Sequence, residues 1–439
     1  MSRERTRRRF LRGIGSAVGG GAVLVGTSRR VAGLSHESWA QLGADSANTG
    51  YAPNNTGPVA DIDERWTFEA GEPVRAQPTV ADGTVYVGSL DNHVYALDAV
   101  DGTEQWSFET GGPVESAPAV SDGRVYAGSR DNNVYAVDAE TGDETWSFRT
   151  GDSVADWVSA SPAVADGTVY ITNENDTLYA IDAARGEKRW STGVVTTEPS
   201  GSFGDHSPAV ADGQVYVGGG DAAVQAVDAE TGESRWTFRG ERDGGKVTPA
   251  VADGTVYAGG RGGVVHALDA ATGDEEWSFD TESSIEASPA VAGDIVCVGV
   301  WDNAAYALDA DTGESRWSVS VDDRITGSPA IVDGIVHFAD HDNVVRAVSE
   351  RDGEEYWRYQ LGENGVDGGA AVANGDVYVA SHDTVYTLSG ATSLADVAAR
   401  ADDSWALREL FVGGLGGLAL GGAGMWLVDR ARNDDGSAL

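Results

Sequence analysis

Apolar and polar residues alternate along this chain in short runs that recur about every forty residues. Residues 77–111, QPTVADGTVYVGSLDNHVYALDAVDGTEQWSFETG, show one full unit. Apolar runs at 78–81, 85–89, 94–98 and 106–109 are closed by Asp82-Gly83, Asp91-Asn92, Asp101-Gly102 and Gly111-Gly112. Runs of four or five residues rich in Val and Tyr predict strands. Asp-Gly pairs between them predict hairpin turns, because such turns need a positive φ. The unit repeats: VYALDA at 94–99 returns as VYAVDA, LYAIDA, VQAVDA, VHALDA and AYALDA. A proline precedes the first run at 78, 118, 162, 208, 249, 289 and 329, with Ala371 in the eighth slot. Tryptophans stand at 66, 106, 146, 190, 236, 277, 317 and 357, spaced by 40, 40, 44, 46, 41, 40 and 40 residues.

Four short strands per unit, repeated eight times, predict an all-β fold, an eight-bladed β-propeller. Trp66 precedes the first complete unit, and the last unit, 370–388, has no tryptophan after it. The N-terminal strand around residues 64–70 is therefore expected to supply the fourth strand of the last blade and close the ring. Closure removes two exposed sheet edges. The expected segments are a signal at 1–33, a lead-in at 34–63, the propeller at 64–390, a linker at 391–408, a transmembrane helix at 409–429 and a tail at 430–439.

The phrase A-x-D-x-x-T-G-x-x-x-W is complete at 136–146, 226–236, 267–277 and 307–317. Asp101 and Arg185 take the Thr place in two further copies, and 347–357 has Ser349 in the Asp place. This phrase resembles the tryptophan-docking motif of the PQQ-like (pyrroloquinoline quinone) propeller repeat family, and the resemblance covers about residues 60–390. Physically, an indole wedged between blades buries roughly 200 Å². Trp66, Trp106, Trp146, Trp190, Trp236, Trp277, Trp317 and Trp357 are accordingly expected to be structural docking residues. The family has an enzymatic branch, whose quinoprotein dehydrogenases carry paired cysteines, a calcium site of Glu and Asn, and a catalytic Asp. A second branch serves as non-enzymatic scaffolds for envelope protein assembly. This chain has one cysteine, Cys297, and no G-x-S-x-G, H-E-x-x-H or phosphate loop. The expectation is therefore a scaffold without a cofactor, with a PQQ-dependent dehydrogenase (PQQ with calcium) or a ligand-sensing ectodomain as the alternatives.

The two ends change the picture. Thr6-Arg7-Arg8-Arg9-Phe10-Leu11 resembles a twin-arginine export signal, followed by a Gly/Ala/Val stretch. Residues 410–428 carry no charge. As a helix they would cover about 28 Å, enough to cross a bilayer core. Arg430 and Arg432 behind them favour a cytoplasmic C-terminus. The expected location is the cell membrane, with the propeller outside. Net charge is −40, from 70 acidic residues against 30 Lys and Arg, spread through every repeat. That resembles the salt-adapted surfaces of halophilic archaea, where molar salt shortens the Debye length to about 3 Å. It leaves no basic face for nucleic acid.

Candidate chemistry lies where the repeat is irregular. The Trp-to-Pro interval is 12 residues in four repeats and 13 in another, but 16 from Trp146 to Pro162 and 18 from Trp190 to Pro208. The extra text supplies Asp156, Trp157, Glu198, Phe203, Asp205 and His206. Insertions on one face of a repeat array often mark its binding face, so these six are the candidate contacts to a protein or polymer partner. Arg75, Glu115, Lys246, Glu286 and Arg324 are expected around the axial mouth. His341 and His382, with Asp340, Asp342 and Asp383, offer metal-ligating side chains, but their spacing is that of ordinary turns.

Overall fold

The computed structural model describes residues 37–153, 156–194, 206–219, 223–240, 248–362 and 365–393. Strand β1 (Ala60–Glu69) comes first in the chain. The first complete blade follows, as β2 (Thr79–Ala81), β3 (Thr84–Gly88), β4 (His93–Asp98) and β5 (Glu104–Glu109), paired in that order. Six more blades repeat it, and every sheet is four-stranded and antiparallel. The eighth consists of Ala371–Ala373, Asp376–Ser381, Thr384–Ala391 and then β1, so the N-terminal strand does close the ring. There Trp66 pairs with Thr387, and Phe68 with Val385. Closure begins at Ala60, four residues before the expected boundary.

Burial explains the run pattern. All five residues of β3 are buried, so it reads as an unbroken apolar run. The outer strand β5 buries Trp106 and leaves its neighbours exposed, so it reads as alternating.

The docking motif has a direct physical basis. The indole N–H of each of the eight tryptophans donates to a backbone carbonyl of the next blade, at 2.7–3.0 Å. The motif glycine of that blade lies flat against the ring. At Gly102, Gly142, Gly186, Gly232, Gly273 and Gly313 a Cβ would sit 2.6–2.9 Å from the preceding blade's indole. All six also have φ between 70° and 76°, a region that disfavours any residue with a Cβ. The Asp braces the turn: Asp138 Oδ1 accepts from the backbone N–H of Glu140 and of Thr141. In five blades a tyrosine of the second strand donates to the same carbonyl as the tryptophan, as Tyr86 does at Ala139 (3.4 Å). Trp357 instead donates to Pro58, just before β1.

Residues 37–59 are not a passive lead-in. They circle the inside of the ring and bond the inner strands of all eight blades. Trp39 exchanges two backbone bonds with Val80; Ala40 O accepts from Val120, and the Gln41 side chain from Val164. Ser46, Ala47, Thr49 and Gly50 carbonyls accept from Val210, Val251, Val291 and Ile331. Asn55 Nδ2 donates to Val372 in blade 8. Asn48, at φ 54°, bridges Pro208 and Pro249 carbonyls. Inner-strand N–H groups that would otherwise face an axial channel are thus satisfied.

Both ends of the described chain lie on one face. Glu37 bonds Asn374 in a first-to-second-strand turn, and Ala391 O accepts from Val59. This turn face is opposite to the loop face, which carries the second-to-third-strand turns and the connections between blades. Among the described residues no helix is long and apolar enough to cross a membrane, and residues 410–428 lie outside them.

Candidate functional site

The loop face surrounds a shallow axial cup. Leu42 of the lead-in forms its floor. Gln77, Ser161, Thr248, Ser288 and Ser328 line it, with Arg75, Glu286 and Asp367 at the rim. Hydroxyls tie neighbouring blades here: Ser161 Oγ accepts from Ala117 N–H, Ser207 Oγ from Ser161 N–H, and Ser328 Oγ from Ser288 N–H. The cup is small, with room for a handful of waters.

Around the cup, six blades each display one side chain on a fixed backbone among the described residues. The N–H groups of Leu90, Arg130, Glu174, Trp301, His341 and His382 donate to the carbonyls of Pro73, Pro113, Trp157, Ser284, Arg324 and Gly365, at 2.8–3.2 Å. The frame is constant while the side chain varies blade by blade. At blade 2, Arg130 lies over the Trp157 ring at 5.2 Å and shares Glu115 with Arg75. At blade 6, Arg324 lies over Trp301 at 5.2 Å and donates to His341 Nε2 at 3.0 Å. Asp323 and Asp367 each stand 3.8 Å from that imidazole. Trp301 is 42 % exposed.

A buried bracket supports this second cluster. Arg346 stands where most blades have Tyr, and binds Asp322 (2.9 Å), Asp340 (3.3 Å) and Glu355 (3.2 Å). Asp340 is fully buried, and burial pushes its carboxyl above the usual range. Arg346 therefore ties the loop carrying Arg324 to the turn carrying His341.

The six candidate contacts fare differently. Trp157 is half-buried on the loop face. Asp156 is buried: its Oδ2 accepts from Ser153 N–H at 2.7 Å and packs against Gly151. It braces its own loop and does not present its carboxylate to a partner. His206 is also buried, and its carbonyl accepts from the Thr172 hydroxyl. Glu198, Phe203 and Asp205 lie outside the described residues, as does Lys246. Sequence reasoning missed Trp301, Arg324 with His341, and Arg346 as one assembly. The only sequence signal was three neighbouring departures from the repeat.

Among the described residues no three His, Cys, Asp or Glu are placed to hold a metal ion. His341 faces Arg324, and His382 is a turn residue at φ 53°. Cys297 is buried in the second strand of blade 6 with no second cysteine in the chain, and burial pushes its thiol up.

A closed eight-bladed ring whose axis is threaded by its own lead-in, with irregular loops on one face, defines a propeller repeat protein. Its repeats match the outer membrane protein assembly factor BamB family over residues 56–161, 153–261 and 224–433, and the chain belongs to that family. No curated protein matches its sequence. BamB from Moraxella catarrhalis is similar in structure, with a TM-score of 0.64 at 20% identity, covering 75% of this chain and 99% of that one. So are two quinohemoprotein alcohol dehydrogenases, each with a TM-score of 0.68 at 17% identity. ADHIIG from Pseudomonas putida HK5 matches over 81% of both chains, and the Comamonas testosteroni enzyme over 80% of both. At such identities the likeness is one of fold.

Proposed function

We propose that this chain is an exported, membrane-anchored propeller that binds protein or polymer partners at the cell surface and acts as an assembly scaffold. One observation carries the reading. Both described ends leave from the turn face, while the irregular loops and the cup occupy the opposite face. Anchors at either terminus would leave the loop face pointing away from the bilayer and open to partners. Membership of an assembly-factor family supports this. The acidic surface suits a salt-adapted, haloarchaeal setting in which charge repulsion is screened.

The test is recovery of envelope partners by the parent, by Trp157→Ala with Phe203→Ala, and by Val100→Ala. Val100 is 63 % exposed in a turn of the opposite face, and serves as the control. The loop-face variant is expected to lose its partners while melting like the parent in high salt. Equal recovery by all three would overturn the loop-face assignment. Replacing Arg7, Arg8 and Arg9 by Lys is expected to hold the precursor in the cytoplasm. Deleting residues 410–439 is expected to release the propeller, and continued membrane retention would contradict the C-terminal anchor.

A further inference from the structure

We propose that two arginine–tryptophan pairs on opposite blades form a clamp for a basic segment of a partner protein lying across the axial cup. The proposal rests on the scaffold reading and specifies its contact points. The pairs occupy equivalent places with their residues exchanged. In blade 2 the turn gives Arg130 and the following connection gives Trp157. In blade 6 the turn gives Trp301 and the following connection gives Arg324. Blades 2 and 6 are four apart in a ring of eight, so the pairs face each other across the cup.

Their surroundings show that they are held in place. Glu115 holds Arg130, and Arg346 holds the loop beneath Arg324 through Asp322. A guanidinium stacked on an indole keeps the ring on the surface at little entropic cost, since both groups are already ordered. Trp301 nevertheless remains 42 % exposed, and exposed tryptophans at a rigid mouth are the usual anchors of a protein interface.

Charge selects the partner. Near the second pair, Glu286, held by Arg261, and Asp367 stand at the rim with side chains 25% and 50% exposed. Beside the second pair, Asp323 and Asp367 flank His341, with side chains 36% and 50% exposed, and Asp322 holds Arg346. The whole chain carries −40. A lysine- or arginine-bearing strand is complementary to this mouth, and an acidic one is repelled. The cup admits the head of one cationic side chain while apolar neighbours lie on the indoles.

Three labelled probes test this on the full-length protein by fluorescence anisotropy: a decapeptide alternating lysine with leucine, its glutamate–leucine counterpart, and maltoheptaose. The lysine peptide is expected to bind saturably, with affinity falling at least about tenfold in Trp301→Ala and again on adding Trp157→Ala. Val100→Ala is expected to leave it unchanged. Arg324→Gln, a shorter polar side chain that removes the guanidinium stacked on Trp301, should weaken binding by releasing the indole, without lowering the melting temperature. No binding of the lysine peptide, equal binding of the glutamate peptide, binding of maltoheptaose alone, or indifference to Trp301→Ala would each overturn the clamp. A photo-crosslinking residue at position 302, exposed beside Trp301, or at 100 separates the two proposals in cells. Crosslinks from 302 into a basic partner segment are expected. Crosslinks from 100 alone would retain the scaffold and remove the clamp, and none from either position would remove both.

Discussion

At the scale of single residues, the repeat sets a standard against which each departure acquires a physical meaning. Five tyrosines share a carbonyl with the docking tryptophan, whereas blade 7 has His337 in that place. His337 is fully buried, with Gly57 of the lead-in packed on its ring. Burial pushes its pKa down from 6.5 to about 4. The folded protein therefore keeps it neutral in a range where the unfolded chain binds a proton. Its contribution favours the fold fully above pH 6.5 and is lost as pH falls from there towards 4. The limit is about 3 kcal/mol. In denaturant titrations, His337→Leu is expected to flatten the decline in stability between pH 7 and 4.5 relative to the parent. Parallel declines would contradict the assignment. That His337 and Cys297 sit in buried second strands was legible from register alone. The shared carbonyl was not, because the acceptor belongs to the next blade.

At the scale of elements, Gly186 and Gly167 in blade 3 separate two reasons for glycine. Both have positive φ, 70° and 68°. A Cβ on Gly186 would meet the Trp146 ring at 2.7 Å, whereas one on Gly167 would meet nothing within 4 Å. Gly167→Ala is expected to cost about 1 kcal/mol, for the backbone alone. Gly186→Ala is expected to cost about 3 kcal/mol, because the indole must move as well. Equal costs by equilibrium unfolding would show that the glycines serve only the turns. Strand limits and hairpins were legible to within a few residues, because apolar runs and Asp-Gly turns report local structure directly. The long loops were legible as insertions, but their internal geometry was not. Asp156 read as a surface carboxylate and instead closes its own loop. Residues 37–59 have no strand periodicity, and their course follows from the partners they find across the ring. Their local signals were Gly43, Asn48 and Gly50, all at positive φ.

At the scale of the whole molecule, the ring depends on two non-contiguous pieces meeting. Strand β1 completes blade 8, and the segment before it binds all eight inner strands. Removing residues 1–57 is expected to destabilise the ring, and removing residues 1–70 to destabilise it further. Loss of buried Trp66 alone should account for about 3–5 kcal/mol of that second step. Equal midpoints for the two truncations would contradict closure through β1. Ring closure was legible from the order of the units, while the threaded axis and the shared exit face required the three-dimensional contacts. That geometry puts the irregular loops and the axial cup on one face, with room for a few waters in the cup. The most direct measurement is titration of the purified full-length protein with PQQ and calcium, followed by absorbance and by dye reduction with alcohols and sugars. The expected result is no saturable uptake and no dye reduction. Saturable uptake with substrate-dependent dye reduction would contradict the scaffold and make the protein a quinone enzyme.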